Sequence, residues 1–234
     1  MKKIIYDFDG TLTKNPIPFY KCLKACGIKS VDDWIKQADI LKKEKNIDMY
    51  ASLFEVYFSS IKKSGLPLND DTFLMGVNDI IYNDGVLDYF SSIKNVEHYV
   101  LTSGYDEYIR HTKIASYLKK VYGTSYKFDE NVATGINELM SDLKKPEKID
   151  LIANGNYDNI VYIGDGLTDI YAFKHVLSKG GNAVLVYHND DLSVYDNLKK
   201  QGIDIECFKA DYSKNSDLYN YLIKEGEVWG RLKS

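Results

Sequence analysis

Two carboxylates follow a short apolar run near the start of the chain. The sequence IIYDFDGT at 4–11 places Asp7 and Asp9 directly after three residues that are typical of a buried strand. An Asp-Gly step such as Asp9-Gly10 is, on its own, a common turn. The pair gains chemical meaning only if other polar residues meet it at the same place in the fold.

Two later segments end in the same way. The strand predicted for NIVYIGD at 159–165 ends at Asp165, and Asp169 follows one turn into the next helix. The strand predicted for HYVLTS at 98–103 ends at Ser103. The carboxyl ends of parallel strands share one edge of a sheet, where ligands of open α/β sheets bind. We therefore expect these side chains to converge on Asp7.

Four carboxylates would then share one crevice: Asp7, Asp9, Asp165 and Asp169. At neutral pH they would repel one another, and a divalent cation would relieve that repulsion. Hard oxygen ligands without nearby histidine favour Mg²⁺ over Zn²⁺, and Mg²⁺ keeps coordination positions free for a phosphate oxygen. The sequence thus predicts a Mg²⁺ site with Asp7, Asp9, Asp165 and Asp169 around it.

Alternating strands and helices predict the framework that positions these residues. A first strand at 3–7 is followed, from Gly85 onward, by a helix and strand alternation that includes strands at 98–103, 159–165 and 182–187. A helix is predicted over 105–120, and a hairpin over 121–137. The pattern predicts an α/β fold with a Rossmann-like parallel-sheet core and helices on both faces.

The segment between the first strand and Gly85 has a different pattern. Apolar residues recur there at intervals of three and four, which predicts about four helices and no strand. Ser30 and Asn69 are candidate N-caps, and Gly27 and Gly65 are candidate stops. We therefore predict a core of residues 1–13 and 83–234 and an inserted all-helical cap at 14–82. Its aromatic residues are expected to form mainly the cap's own core.

Composition restricts the functional class. The chain has 234 residues, 44% of them hydrophobic, and a formal net charge of −4 with acidic and basic residues interspersed. No basic block predicts nucleic-acid binding. The apolar runs are too short to cross a membrane, and the start does not resemble a secretory signal. We expect a cytoplasmic protein without nucleic-acid or membrane partners.

Four motifs together resemble the haloacid dehalogenase-like (HAD) hydrolase superfamily. They occur in order as DFDGT at 7–11, LTSG at 101–104, Lys145 before Pro146, and GDGLTD at 164–169. The resemblance covers residues 1–13 and about 83–190. The helical insert and the stretch YKFDENVATGI at 126–136 are similar to the phosphoserine-phosphatase-like branch.

The resemblance implies a role for each matching acidic residue. Asp7 would be the nucleophile that accepts the phosphoryl group. Asp9 would protonate the leaving oxygen and then activate water. The Asp7 carboxylate, the Asp9 backbone carbonyl and Asp165 would bind Mg²⁺, with Asp169 supporting the site.

The resemblance also implies a phosphate-binding set: Ser103, Lys145, Gly10 and Gly104. Two of these positions have competitors nearby. Thr102 could supply the hydroxyl instead of Ser103, although Ser103 is favoured because the strand is predicted to end there. Lys144 and Lys148 compete with Lys145, which directly precedes Pro146 and a helix and is favoured because its distance to GDGLTD resembles that in the phosphoserine-phosphatase-like branch.

The implied activity is Mg²⁺-dependent hydrolysis of a small phosphate monoester, a phosphorylated metabolite, through an aspartyl-phosphate. A phosphomutase or phosphotransferase of the same superfamily is the alternative enzyme, and a non-catalytic phosphate-binding protein is a third reading. Serine-specific members carry an acidic residue soon after the first motif. Here the stretch is Lys14-Asn15-Pro16-Ile17-Pro18, which argues against phosphoserine.

Overall fold

A seven-stranded sheet forms the centre of the computed structural model, which describes residues 1–14 and 20–223. The strand order is β4-β3-β2-β1-β5-β6-β7, and every pairing is parallel except that of β3 with β4. The strands are β1 (Lys2–Tyr6), β2 (Val96–Tyr105), β3 (Leu118–Asp129), β4 (Val132–Glu138), β5 (Ile160–Gly164), β6 (Asn182–Tyr187) and β7 (Glu206–Lys209). The predicted Rossmann-like α/β class is confirmed, with one antiparallel edge strand added.

The first strand lies at the middle of this sheet. Tyr6 is opposite Val100 of β2 on one side and Ile163 of β5 on the other. Ile4 and Tyr6 point into one hydrophobic cluster and Ile5 into a second one on the opposite face, as the two-residue period of a strand requires. A central strand buried on both faces ends among its parallel neighbours, so whatever follows Tyr6 is placed between the ends of β2 and β5.

In its described part, the segment 14–82 forms four helices. They are α1 (Tyr20–Ala25), α2 (Val31–Lys45), α3 (Met49–Ser64) and α4 (Asp70–Val77). The side chains of Ser30 and Asn69 accept N-cap hydrogen bonds from backbone N–H groups at 3.1 and 3.2 Å, as predicted. A third hydrophobic cluster contains residues of these four helices together with Tyr105 of β2, Tyr126 of β3 and Tyr108, which follows β2.

The remaining helices cover both faces of the sheet. They are α5 (Val86–Ser92), α6 (Asp106–Arg110), α7 (Lys145–Ala153), α8 (Ile170–Ser178), α9 (Ser193–Lys200) and α10 (Asp217–Ile223). Residues of α5 and α10 pack on one face, and residues of α7, α8 and α9 on the other. Among the helices that the structure describes, none is both long and apolar enough to span a membrane.

One predicted helix is wrong. The segment 105–120 is helical only in α6, which ends at Arg110, and after a short 3₁₀ turn the chain enters β3 at Leu118. Leu118 pairs with His98 of β2, and the hairpin of β3 and β4 extends the sheet beyond it. Pairing with a neighbouring strand, which no local pattern reports, determines the structure here.

Candidate active site

The acidic residues of β1 and β5 meet at the carboxyl edge of the sheet. The Asp7 backbone N–H donates to the carbonyl of Ile163 at 2.8 Å, which continues the β1–β5 ladder by one residue. Asp165 follows the last residue of β5. Asp7, Asp165 and Asp169 each offer a carboxylate oxygen, and these three atoms lie within 4.8 Å of one another. The structure therefore brings together three of the four carboxylates predicted to surround a metal.

The loop after Asp9 packs directly on Asp165. Gly10 has a φ of +79°, and a Cβ atom at this position would lie 2.1 Å from Oδ2 of Asp165. The Thr11 hydroxyl donates to Oδ1 of the same carboxylate at 3.1 Å. Gly10 thus lets the loop approach Asp165 more closely than any residue with a side chain could. The contact between Gly10 and a phosphate group, which the resemblance implies, stays a prediction.

Lys145 is the lysine that the structure places among the carboxylates. Its side chain is 1% exposed, and its Nζ lies 3.2 Å from Oδ1 of Asp7 and 2.6 Å from Oδ1 of Asp169. Lys144 instead donates to the carbonyl of Leu139, and Lys148 forms an ion pair with Glu138. Burial acts to lower the pKa of Lys145, but Asp169 and Asp7 outweigh it, and the net shift is upward.

Asp169 is fully buried and has a hydrogen-bond partner on each oxygen. Oδ1 accepts from Lys145 and, at 2.5 Å, from the Tyr162 hydroxyl, while Oδ2 accepts from the backbone N–H groups of Asp165 and Gly166. It lies at the end of a 3₁₀ turn directly before α8, and not one turn into a helix as predicted. Asp169 consequently holds both Lys145 and the loop that carries Asp165.

Burial and mutual repulsion shift the acidic groups toward their protonated forms. Burial is the main cause that raises the pKa of Asp7 to about 7, with Lys145 opposing and Asp169 and Asp165 adding to the rise. Burial, then Asp169, raises the pKa of Asp165 to about 7. Burial, then Asp7 and Asp165, raises the pKa of Asp9 well above its usual value.

The donor set fits a hard divalent cation. Oδ1 of Asp9 is buried and has no hydrogen-bond partner among the described residues, and Oδ1 of Asp7 is buried with the Lys145 ammonium 3.2 Å away. Buried carboxylate oxygens without a donor are costly unless an ion satisfies them. The cluster contains oxygen ligands only, which is the ligand set that Mg²⁺ takes in proteins. One cation could therefore satisfy these atoms and offset the repulsion that raises their pKa values.

Two hydroxyls compete at the end of β2, and their surroundings differ. The Thr102 side chain is 2% exposed and accepts from the Gly104 N–H at 2.9 Å. The Ser103 hydroxyl is buried without a hydrogen-bond partner in the described part of the chain, and Ser103 lines a cavity beside Asp9. Ser103 is thus the hydroxyl available to a ligand, although β2 continues to Tyr105 and does not end at Ser103 as predicted. A phosphate contact from the Gly104 N–H would require its bond to Thr102 to break.

The loop of Gly10 and Thr11 is held by side chains that the motifs did not indicate. The Asn83 amide donates to the carbonyls of Gly10 at 3.3 Å and Thr11 at 2.9 Å. His188 binds the Gly10 carbonyl at 2.5 Å, and the Tyr212 hydroxyl donates to the Thr11 carbonyl at 3.1 Å. His188 directly follows β6, so the strand-end argument that found Asp165 could have found it.

A cavity of about 160 Å³ opens beside Asp9 and Ser103. Helices of the 14–82 segment form one wall of it and the end of the sheet forms the other. Its lining consists of Asp9, Trp34, Tyr50, Leu53, Phe54, Ser103, Gly104, Tyr105, Thr124 and Leu139. Trp34 and Phe54 pack in the third hydrophobic cluster with Tyr57, as expected, and they also line this cavity.

The stretch after the first motif is described only in part. Lys14 forms an exposed ion pair with Asp84 at 2.7 Å and does not line the cavity. Asn15, Pro16, Ile17 and Pro18, which the sequence connects with substrate choice, lie outside the described residues.

Comparison with known proteins gives the fold. No protein-family model matches the chain. A curated relative from Borreliella burgdorferi, described only as an uncharacterized protein, is 23% identical, and the alignment covers 95% of each chain. A structure of a substrate-bound phosphoserine phosphatase has a TM-score of 0.60 at 22% identity and covers 94% of this chain and 96% of its own.

Two further solved structures are similar to this chain in fold. A phosphoserine phosphatase in its apo form has a TM-score of 0.61 at 20% identity and covers 95% of this chain and 98% of its own. A HAD family hydrolase from Salmonella enterica serovar Typhi has a TM-score of 0.65 at 18% identity and covers 97% of this chain and 72% of its own. The resemblance seen in the motifs is thus confirmed for the fold: this chain has the HAD-like fold, in the form found in the phosphoserine phosphatases.

Proposed function

We propose that this protein is a Mg²⁺-dependent phosphatase that hydrolyses a small phosphate monoester through an aspartyl-phosphate on Asp7. The observation that carries the proposal is the convergence of Asp7, Lys145 and Asp165 in one crevice, with Ser103 and Asp9 lining the adjoining cavity. A carboxylate nucleophile, a buried cation and a free hydroxyl are the groups that phosphoryl transfer needs within a few ångströms. The 14–82 helices act in this proposal as a cap over the site.

Asp7 is the proposed nucleophile because it holds the first position of the DFDGT motif and its carboxylate lies next to Lys145. One of its carboxylate oxygens would form a bond to phosphorus while the bond from phosphorus to the leaving oxygen breaks. Lys145 and Ser103 would hold the phosphoryl oxygens during this displacement. Mg²⁺ held by Asp7, the Asp9 carbonyl and Asp165 would neutralise the charge of the phosphate against these carboxylates.

Asp9 is the proposed acid and base because it faces the cavity in which the leaving group would lie. Its raised pKa favours the protonated carboxyl that can give a proton to the leaving alkoxide. The resulting carboxylate would then take a proton from a water molecule as that water attacks phosphorus. This second step releases inorganic phosphate and restores the free Asp7 carboxylate.

A screen of phosphate-ester metabolites with and without Mg²⁺ tests the proposal. Release of phosphate is expected only with Mg²⁺ present, and Asp7→Asn should abolish it. Asp88→Asn, an exposed aspartate on α5, is the matched control and should keep full activity. Hydrolysis that survives in Asp7→Asn would refute the assignment of the nucleophile. A requirement for a bisphosphate primer would indicate the phosphomutase alternative instead.

A further inference from the structure

The cavity beside Asp9 has a mainly apolar wall that the cap supplies. Tyr50, Leu53 and Phe54 are spaced three and four residues apart on α3, so they share one face of that helix. The Asp48 side chain caps this helix by accepting from the Ala51 N–H at 3.0 Å, which fixes its first turn. The face is thus presented to the site by a helix whose start is well defined.

Trp34 completes this wall from α2. Its indole N–H donates to the Leu53 carbonyl at 2.9 Å, so the ring is held against α3 and its donor is already used. The indole therefore offers a flat apolar surface to the cavity and no hydrogen bond. Together Trp34, Tyr50, Leu53 and Phe54 are referred to below as the aromatic wall.

Charge is almost absent from this part of the cavity. Among the described residues that line it, Asp9 alone carries an ionisable acid or base other than tyrosine. The cap lysines Lys21 and Lys45 form ion pairs with Asp79 and Glu55 and are about half exposed. Asp142 raises the pKa of Tyr50 after burial does, but Asp142 does not line the cavity.

The geometry points to a substrate class: a phosphate monoester whose leaving group is uncharged and largely apolar. This inference rests on the proposed function. With the phosphate near Asp7 and Lys145, the leaving group would extend past Asp9 onto the aromatic wall. An amino-acid phosphate would bring an ammonium and a carboxylate against that wall, where no described lining residue other than Asp9 carries a charge to receive them, which is costly. An aromatic or aliphatic group would instead bury apolar surface.

Four esters of primary alcohols test the inference, since their leaving groups differ in charge and in apolar surface. They are benzyl phosphate, phosphoethanolamine, phosphoglycolate and phosphoserine. We expect kcat/KM for benzyl phosphate to exceed each of the other three by at least about tenfold. Equal or higher kcat/KM for phosphoserine would overturn the inference while leaving the phosphatase proposal intact. No hydrolysis of any of the four, with no phosphate on Asp7, would overturn both.

Substitutions at Leu53 locate the selectivity in the aromatic wall. Leu53→Glu adds a charge to the wall, and Leu53→Gln is its uncharged counterpart of the same size. Leu74→Glu places the same charge on an exposed leucine of α4, 47% exposed, as a surface control. We expect kcat/KM for benzyl phosphate to be at least about tenfold lower in Leu53→Glu than in Leu53→Gln. The ratio of kcat/KM for benzyl phosphate to kcat/KM for phosphoethanolamine should also be smaller in Leu53→Glu. Identical selectivity in Leu53→Glu and Leu74→Glu would overturn the inference.

Discussion

The Lys145 ammonium lies 2.6 Å from a carboxylate oxygen of Asp169, and the two side chains are 1% and 0% exposed. Losing this buried pair would leave Lys145 with Asp7, at 3.2 Å, as a carboxylate partner, and it would still cost more than losing a pair at the surface. Asp169 also accepts hydrogen bonds from the backbone N–H groups of Asp165 and Gly166, so this pair connects the lysine to the loop that carries Asp165.

Asp169→Asn should therefore lower the free energy of unfolding by about 1–3 kcal/mol, measured by urea denaturation, because hydrogen bonds to a buried carboxylate are lost while Lys145 keeps Asp7. Asp39→Asn is the control, because Asp39 forms a pair of the same 2.6 Å length with Lys43 on the surface. That variant should unfold at nearly the wild-type urea concentration. Equal midpoints for the two variants would contradict the importance of the buried pair.

Gly10→Ala should damage the metal site. The added methyl would meet Asp165 at 2.1 Å, and we expect kcat to fall by at least about 100-fold because ligand geometry is displaced. Stabilisation of the protein by Mg²⁺ in a thermal melt should be lost as well. Gly27→Ala is the matched control, since Gly27 has a φ of +85° but nothing within 4 Å of a Cβ atom. If Mg²⁺ stabilised Gly10→Ala in the thermal melt as much as it stabilises the wild type, the prediction that the added methyl displaces Asp165 would be wrong.

Asn83→Asp should loosen the loop that follows Asp9. The change keeps the size of the side chain but removes the amide that donates to the Gly10 and Thr11 carbonyls. We expect a loss of about 1–3 kcal/mol in the free energy of unfolding, since the Gly10 and Thr11 carbonyls each lose one of two side-chain partners and a buried carboxylate then faces them. Asn156→Asp is the control, because the exposed Asn156 side chain accepts from the Asp158 N–H and an aspartate can do the same. Similar urea midpoints for both variants would show that the Asn83 amide does not hold the loop.

His98 should make stability depend on pH. Burial lowers the pKa of His98 from 6.5 to about 4, and its Nδ1 lies 2.9 Å from the Tyr6 hydroxyl. The folded state therefore favours the neutral ring, so the contribution of His98 is complete above pH 6.5 and is lost as the pH falls toward 4. The difference in unfolding free energy between wild type and His98→Gln should therefore become smaller as the pH falls from 6.5 to 4. A difference that stays constant from pH 8 to pH 4.5 would contradict the lowered pKa.

The strand-end pattern predicted the acidic part of the site because it depends on local sequence. Asp7 and Asp165 end apolar runs, and the parallel alternation of elements was enough to bring them together. Lys145 could not be separated from Lys144 and Lys148 by pattern alone. Its contacts distinguish it, because Lys145 reaches Asp7 and Asp169 whereas Lys148, which is also buried, pairs with Glu138.

Other features depend on contacts that are distant in sequence. Leu118 begins a strand because β2 lies beside it, although the preceding residues have a helical pattern. Asn83 and Tyr212 bind backbone carbonyls of the Gly10 loop, and a carbonyl acceptor has no sequence signature. The aromatic wall was expected inside the cap because helical spacing does not distinguish a face that packs on a helix from one that faces a cavity.

The most direct test of the proposed chemistry is to trap the phosphoryl group on Asp7. The protein would be mixed with Mg²⁺ and an ester found active in the screen, quenched in acid during turnover and reduced with borohydride, which converts an aspartyl-phosphate to homoserine. Peptide mass spectrometry should then find homoserine at position 7 in the wild type and not in a sample without Mg²⁺. Steady hydrolysis with an unmodified Asp7, or with the modification on another residue, would contradict the assignment of Asp7 as the nucleophile.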